Sequence, residues 1–267
     1  MSSYAPPLDR LLDREIAGFG SDWPNYVEEY GLTAEHVSEL IRMASDAKLY
    51  ESVETDSWAT VHARRAVGQL RAVEAAGPLL AAMDAFDKYD EFFLIDHPKI
   101  FGMIGSGAIP ALASRFEEKR PSRSTRFACA ESLEEIAKAH PEAREECIAV
   151  LTKHLAKKED EDDDDWALNG FVLASLLELK AVESAGVIEE AFAADVIDES
   201  IAGGWTTARH ELGLGPAPVG NDIAEQWRMM RMDPLPQLRM APRRPDLKKL
   251  KMKQNAAKKA RKRNRKR

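Results

Sequence analysis

Apolar residues recur at three- and four-residue steps along most of the chain, from Leu8 to about Met230. Phe127, Ala130, Leu133 and Ile136 follow one another at three-residue steps; Ile148, Leu151 and Leu155 do so at three and four. One-sided stripes of this period belong to helices that bury one face. No segment alternates apolar and polar positions for long enough to predict a strand. Glycine and proline fall between the stripes, where helix ends are expected. Gly31 closes one stripe and Thr33 is placed to cap the next helix. Ser122 is placed to cap a helix from Arg123, and Pro141, preceded by His140, falls just inside another start.

The stripes come in pairs, and the pairs repeat. Segments opening at Leu70, Met103, Ile136 and Leu179 align, each written from an apolar residue that closes a first helix, at intervals of 33, 33 and 43 residues. The longest interval holds seven consecutive carboxylates, Glu159 to Asp165. Self-repulsion keeps such a run extended and solvated, so it reads as an insertion in a loop between repeats. A period in the thirties with two helices per unit is the pattern of a helical solenoid, in which stacked neighbours build one continuous core.

Val61 to Leu80, VHARRAVGQLRAVEAAGPLL, resembles the HEAT-like repeat of the type first described in phycobilin lyases. Arg64, Ala66, Gly68, Leu70, Ala76, Pro78, Leu79 and Leu80 occupy the places of that pattern. From about Val27 to Leu212 the chain also resembles an uncharacterised bacterial family of HEAT-like proteins. YGLTAEHVSELIRMA, PEAREECIAVLTKHL and DESIAGGW (Asp198 to Trp205) carry that likeness. The resemblance implies an all-α fold, a right-handed α-solenoid of about four HEAT-like helix pairs with helical caps. Some members of that family end in a cysteine-rich SEC-C zinc motif; this chain ends in a basic tail instead, which leaves a zinc-linked role without support. The expected organisation is a helical cap over 1–56 and a repeat array over 57–212 with the acidic loop at 159–165. A break, one helix from Asn221 to about Met230 and a proline-rich linker fill 213–242, and a basic low-complexity tail, expected to be disordered, fills 243–267.

Charge changes this picture more than composition does. The 267 residues are 44% hydrophobic and 31% charged, enough apolar material for a sizeable core. The net charge of −7 conceals two opposed parts: residues 243–267 hold fourteen Lys/Arg and one Asp, a net of +13, and the remainder carries −20. A strongly basic tail on an acidic body suits a polyanion. The tail holds no aromatic residue on which a base could stack, so it is equipped to neutralise phosphates and not to read sequence. Its candidate contacts are Lys248, Lys249, Lys251, Lys253, Lys258, Lys259, Arg261, Lys262, Arg263, Arg265, Lys266 and Arg267. Membrane binding is disfavoured, because only Leu247, Leu250 and Met252 could anchor it.

Catalytic signatures do not emerge. The six histidines are scattered without metal-ligand spacing. Cys129 and Cys147 lie on apolar stripes and read as buried structural thiols, which excludes a disulfide framework. Asp96-His97-Pro98 resembles a helix start capped by Asp96. Gly102 to Gly107, GMIGSG, lacks the lysine of a phosphate loop and reads as the tight link inside a repeat. A concave groove is the remaining place for chemistry, with Trp58 and His62 at the first repeat, Asn169 and Phe171 at the last, and Asp198 and Trp205 beyond it. Asp198 could equally cap a short helix and Trp205 pack the last repeat.

The function expected from these features is a non-enzymatic binding scaffold. Its partners would be an unidentified protein and, through the tail, nonspecific RNA, DNA or ribosome, without a cofactor and without a membrane. The alternative is a HEAT-like enzyme acting on a small molecule, or on nucleic acid in the manner of an alkylpurine glycosylase, for which Trp58, Trp166, Trp205 and Asp198 are the candidates. No apolar run reaches the roughly 18–20 residues of a membrane span, and the N-terminus lacks the pattern of a secretory signal. With two cysteines, a cytoplasmic setting is the expectation.

Overall fold

A computed structural model describes residues 4–15, 23–52, 54–86, 91–118, 123–157 and 163–217. Every regular element among them is helical. A 3-10 turn at Leu8–Leu11 precedes α1 (Tyr26–Tyr30), α2 (Val37–Ala44) and α3 (Ala47–Tyr50). Four helix pairs follow. The first helices are α4 (Ala59–Gln69), α6 (Glu91–Ile104), α8 (Arg123–Ala139) and α10 (Asp163–Glu178). Their partners are α5 (Ala76–Ala85), α7 (Ile109–Glu117), α9 (Arg144–Leu155) and α11 (Ala185–Ala193). Two short helices, α12 (Glu199–Ala202) and α13 (Trp205–Glu211), end the described region. Most of the predicted acidic loop, the predicted helix from Asn221, the proline-rich linker, the basic tail and the Ser122 cap lie outside the described residues.

Each second helix opens with a single 3-10 turn, at Val73–Ala75, Ser106–Ala108, Pro141–Ala143 and Val182–Ser184. The residue before each turn is Ala72, Gly105, His140 or Ala181. The links into the first and last of these turns are built alike. Arg71 and Lys180 take the left-handed conformation, at φ 53° and 50°. The amide of the next residue then closes back on the helix, Ala72 to the Val67 carbonyl and Ala181 to the Leu176 carbonyl. This Schellman closure satisfies carbonyls that a helix end leaves open. The expected equivalence of Leu70, Met103 and Leu179 holds, since each stands three residues before its turn. Ile136 stands five before, so Lys138 takes the matching place. The reason is that α8 runs two residues longer before Pro141, whose fixed φ starts the turn.

The sequence signals near Gly31 are correct. Gly31 closes α1 at φ 65°, and Thr33 precedes the turn at Ala34–His36, its amide donating to His36 Nδ1 at 3.0 Å. Two expectations fail. Asp96-His97-Pro98 is no helix start: all three lie inside α6. A proline interrupts the hydrogen-bond ladder four residues upstream but does not end this helix. The acidic run is not wholly loop either, because Asp163, Asp164 and Asp165 are the first three residues of α10.

Packing follows chain order. α4 packs on α6, α6 on α8 and α8 on α10, while α5 packs on α7, α7 on α9 and α9 on α11. At the front α2 and α1 pack on α4; at the rear α12 packs on α10 and α13 on α11. One core runs through all of it, from Leu8, Leu11 and Tyr26 through Leu79, Phe101, Leu112, Leu133, Leu151 and Leu173 to Ile188 and Ala208. Close approach of the first helices depends on two glycines. A Cβ on Gly68 would stand 3.3 Å from Ile100 Cα, and one on Gly102 would stand 3.2 Å from Glu135 Cβ.

Candidate functional site

The predicted groove residues divide into those consumed by packing and those left at the surface. His62 on α4 is 1% exposed. Its Nε2 meets the Arg14 carbonyl at 3.0 Å, which fixes the proton on that nitrogen, and Nδ1 then accepts from the Tyr26 hydroxyl at 2.8 Å. Burial drives its pKa down to about 4. A neutral histidine with both nitrogens engaged is a structural strut, so the expectation that His62 faces a groove is corrected. Asn169 on α10 is also buried; its side-chain amide donates to the Val196 carbonyl at 2.8 Å. It ties α10 to the segment before α12 and lines no groove. Phe171 is half-buried against Phe127, with ring centroids 4.1 Å apart.

Asp198 caps α12, accepting from the Ser200 amide at 3.0 Å and the Ser200 hydroxyl at 2.6 Å. Trp205 packs on Phe192 of α11 with Arg209 beside its ring. Trp166 is 40% exposed, and its carbonyl accepts from the Asp198 amide at 3.3 Å. Trp58 belongs to the turn before α4, at the opposite end of the succession of helices. Trp166 and Asp198 therefore adjoin, whereas Trp58 stands apart from both.

Cys129 and Cys147 are buried, and burial pushes both thiols up to about 12, far from the thiolate a nucleophile needs. Among the described residues no group of three His, Cys, Asp or Glu side chains is placed to hold a metal ion. No helix among them is long and apolar enough to cross a membrane.

The densest chemistry lies between α4 and α6. Arg65 Nε donates to Asp96 Oδ2 at 2.6 Å, with the two side chains 3% and 4% exposed. Burial raises the Asp96 carboxyl and the neighbouring Arg65 charge opposes that rise. His97 is fully buried on the same helix and burial holds it well below its ordinary pKa, with Arg64 adding to the effect. Arg65 and Lys99 both lie over the Trp23 ring, at 4.8 and 4.3 Å from its centroid.

Above this network opens a surface pocket of about 720 Å³. It gathers the C-terminal ends of α4, α6 and α8, through Gln69, Met103 and Glu135, with Trp23 and Lys99 beside them and His140 at the far side. Its walls are held firmly. The Gln69 side chain donates to the Pro24 carbonyl at 2.9 Å and accepts from the Tyr26 amide at 2.8 Å. His140 Nε2 meets the Gly102 carbonyl at 2.9 Å. Sequence reasoning missed this pocket, because its residues come from elements 30 or more positions apart. The usable signal was Gly68 and Gly102, one glycine inside each of two successive stripes.

Comparison of the chain with family models, with curated proteins and with solved structures finds no match.

Proposed function

We propose that the chain is a non-enzymatic binding scaffold, a right-handed α-solenoid of four HEAT-like helix pairs whose surface engages a protein partner and whose basic tail contacts polyanions. The observation that carries this reading is the order of packing. First helices pack on successive first helices in turn, second helices on successive second helices, and a 3-10 turn opens each second helix. Such an array leaves long continuous surfaces uncommitted. The pocket beside Trp23, of a size that suits a small molecule or a few peptide residues, is the partner surface we favour. His62, buried with both ring nitrogens bonded, and Asp198, a helix cap, are both engaged in holding the fold.

Two measurements test the reading. Partners recovered by affinity purification from the full chain should be lost when the pocket is altered by Arg71→Glu together with Met103→Glu in a folded variant; identical recovery overturns the pocket as the partner surface. A fluorescent single-stranded RNA titrated against the full chain should bind with an affinity that falls about 10³–10⁵-fold between 50 and 200 mM salt if six to ten phosphates are neutralised. Equal binding by a chain ending at Ala241 overturns the tail as the polyanion element.

A further inference from the structure

We propose that the basic tail, residues 247–267, docks on its own body in the groove between α9 and the 3-10 turn that opens α11, so that a polyanion must displace it to bind. This rests on the reading of the tail as the polyanion element, and it adds a built-in competitor.

The groove has a volume of about 390 Å³ and is lined by Glu145, Ile148, Ala149, Thr152, Ala156 and Glu183, with Lys153 and Ser184 completing it. Its sides are fastened. Thr152 and Ser184 hydroxyls meet at 2.7 Å, and Arg144 binds Glu183 at 2.7 Å and the Leu179 carbonyl at 2.9 Å. The floor is apolar and shallow, because Ala149 and Ala156 have no bulk to fill it. An apolar floor beside carboxylates is what a lysine or arginine requires, since its stem covers apolar surface while its head group stays hydrated and charged.

Charge on the second helices is unevenly placed. The outward positions of α5 are Gly77, Ala81, Asp84 and Ala85, with Glu74 in the turn before it, and those of α7 are Pro110 and Ser114. Besides small residues and Lys153, α9 and α11 expose four carboxylates, Glu145, Glu146, Glu189 and Glu190, with Glu183 before α11 and Asp195 after it. Arg144 and Lys153 are the cations on the same face, so carboxylates prevail there. The tail from Leu247 to the end carries twelve Lys/Arg and no acid.

Chain length and exit point favour this occupant over a foreign basic peptide. α13 packs on α11, so the chain leaves the described region at Ala217 beside the acidic helix. Residues 218–246 separate that exit from the tail. Fully extended they would span roughly 100 Å, and as a flexible chain about 30 Å. The groove is within reach without stretching, and tethering gives the tail an effective concentration on the order of millimolar.

The test uses the full chain in two ways. Zero-length carbodiimide coupling followed by mass spectrometry should join tail lysines, Lys248 to Lys266, to Glu145, Glu183 and Glu189. Coupling spread evenly over the acids of the body, or none from the tail, overturns the docking. Second, a labelled 20-nucleotide oligouridylate is titrated against the full chain and against the Glu145→Gln/Glu146→Gln/Glu189→Gln variant, which removes charge without creating a new cation. Exposed ion pairs are individually weak, so binding should tighten by about three- to tenfold at 50 mM salt, with the gap closing near 500 mM. Unchanged affinity in the variant overturns the competition. If the full chain and a chain ending at Ala241 bind the oligouridylate alike, the tail reading fails and the competition with it, while the coupling pattern still decides the docking separately.

Discussion

The Arg65–Asp96 pair makes the sharpest prediction about what holds the array together. Both side chains are almost completely sealed, and Nε and Oδ2 are 2.6 Å apart. Asp96→Leu removes the carboxylate and leaves a guanidinium in the α4–α6 interface with no way to lose its charge. Stranding one member of a buried pair costs about 3–5 kcal/mol. Arg65→Met is expected to cost less, about 1–3 kcal/mol, because burial already raises the Asp96 pKa and the stranded acid can take a proton. It also removes the Arg65 contact with Trp23, which is worth roughly 0.5–1 kcal/mol. The double variant replaces a charged pair by apolar side chains of similar bulk and should recover most of the loss, so that the pair couples by at least about 2 kcal/mol.

Urea unfolding followed by far-ultraviolet circular dichroism at pH 7 supplies the four free energies, provided the slope with denaturant is the same in all four proteins. For a folded region of this size, Asp96→Leu should lower Tm by roughly 6–20 °C. The reasoning is refuted if Asp96→Leu costs less than about 1 kcal/mol, or if the double variant is as unstable as the two single losses added together. Either result would mean that water or another group already compensates the charge, and that the pair does not fasten α4 to α6.

Three further outcomes follow from individual contacts. Gly68→Ala should destabilise by about 1 kcal/mol or more, because its new Cβ would press on Ile100 backbone at 3.3 Å, whereas Gly77→Ala, with nothing within 4 Å, should stabilise by about 0.5–1 kcal/mol; equal effects in chemical denaturation would refute the packing argument. His62 is held neutral in the fold, so its contribution is complete above pH 6.5 and is lost as pH falls through about 4. Over that window it is worth about 3 kcal/mol, and His62→Gln should flatten the pH dependence of unfolding by close to one proton, with His97 supplying the slope that remains. Cys129 and Cys147 should resist a thiol-reactive disulfide reagent at pH 8 until the chain unfolds, and prompt labelling of the native protein would show that they are not sealed.

Helix pairing was legible because it depends on local chemistry. A three- to four-residue apolar period and turn residues such as Gly31 and Pro141 act within a few positions of themselves. What the period cannot say is which neighbour a helix face meets. α4, α6, α8 and α10 each pack on more than one side, so a polar residue on their stripes can point into a groove or into another helix with the same spacing. His62 and Asn169 read as groove residues for that reason, and both turn out to hold helices together. Asp96-His97-Pro98 misled for a related reason. A proline after a capping residue is a start signal when flanking context is polar, but α6 is apolar around it and tertiary packing overrides the break. The pocket was illegible because Trp23, Gln69, Lys99 and His140 have no local relation in sequence.

The same distances explain why helix pairs so uneven can pack in one order. Successive turns are preceded by Ala72, Gly105, His140 and Ala181, intervals of 33, 35 and 41, so neither helix length nor loop length sets the register. Each junction between first helices has its own chemistry instead. α4 meets α6 through Arg65 and Asp96, α6 meets α8 through Gly102 and Glu135 with His140 just beyond α8 bonded to the Gly102 carbonyl, and α8 meets α10 through Phe127 and Phe171. Counted back from the residue before each turn, the place of Arg65 is taken by Pro98, Leu133 and Ala174 in the other three helices. An arrangement that put α6 against the wrong neighbour would therefore bury Asp96 opposite an apolar side chain. It would strand Arg65 as well, and a buried guanidinium without its carboxylate costs about 3–5 kcal/mol, a large part of the 5–15 kcal/mol by which domains are stable. A buried ion pair adds little to stability over a well-packed apolar contact, but placed at one junction out of several it makes the correct order of helices the cheapest one.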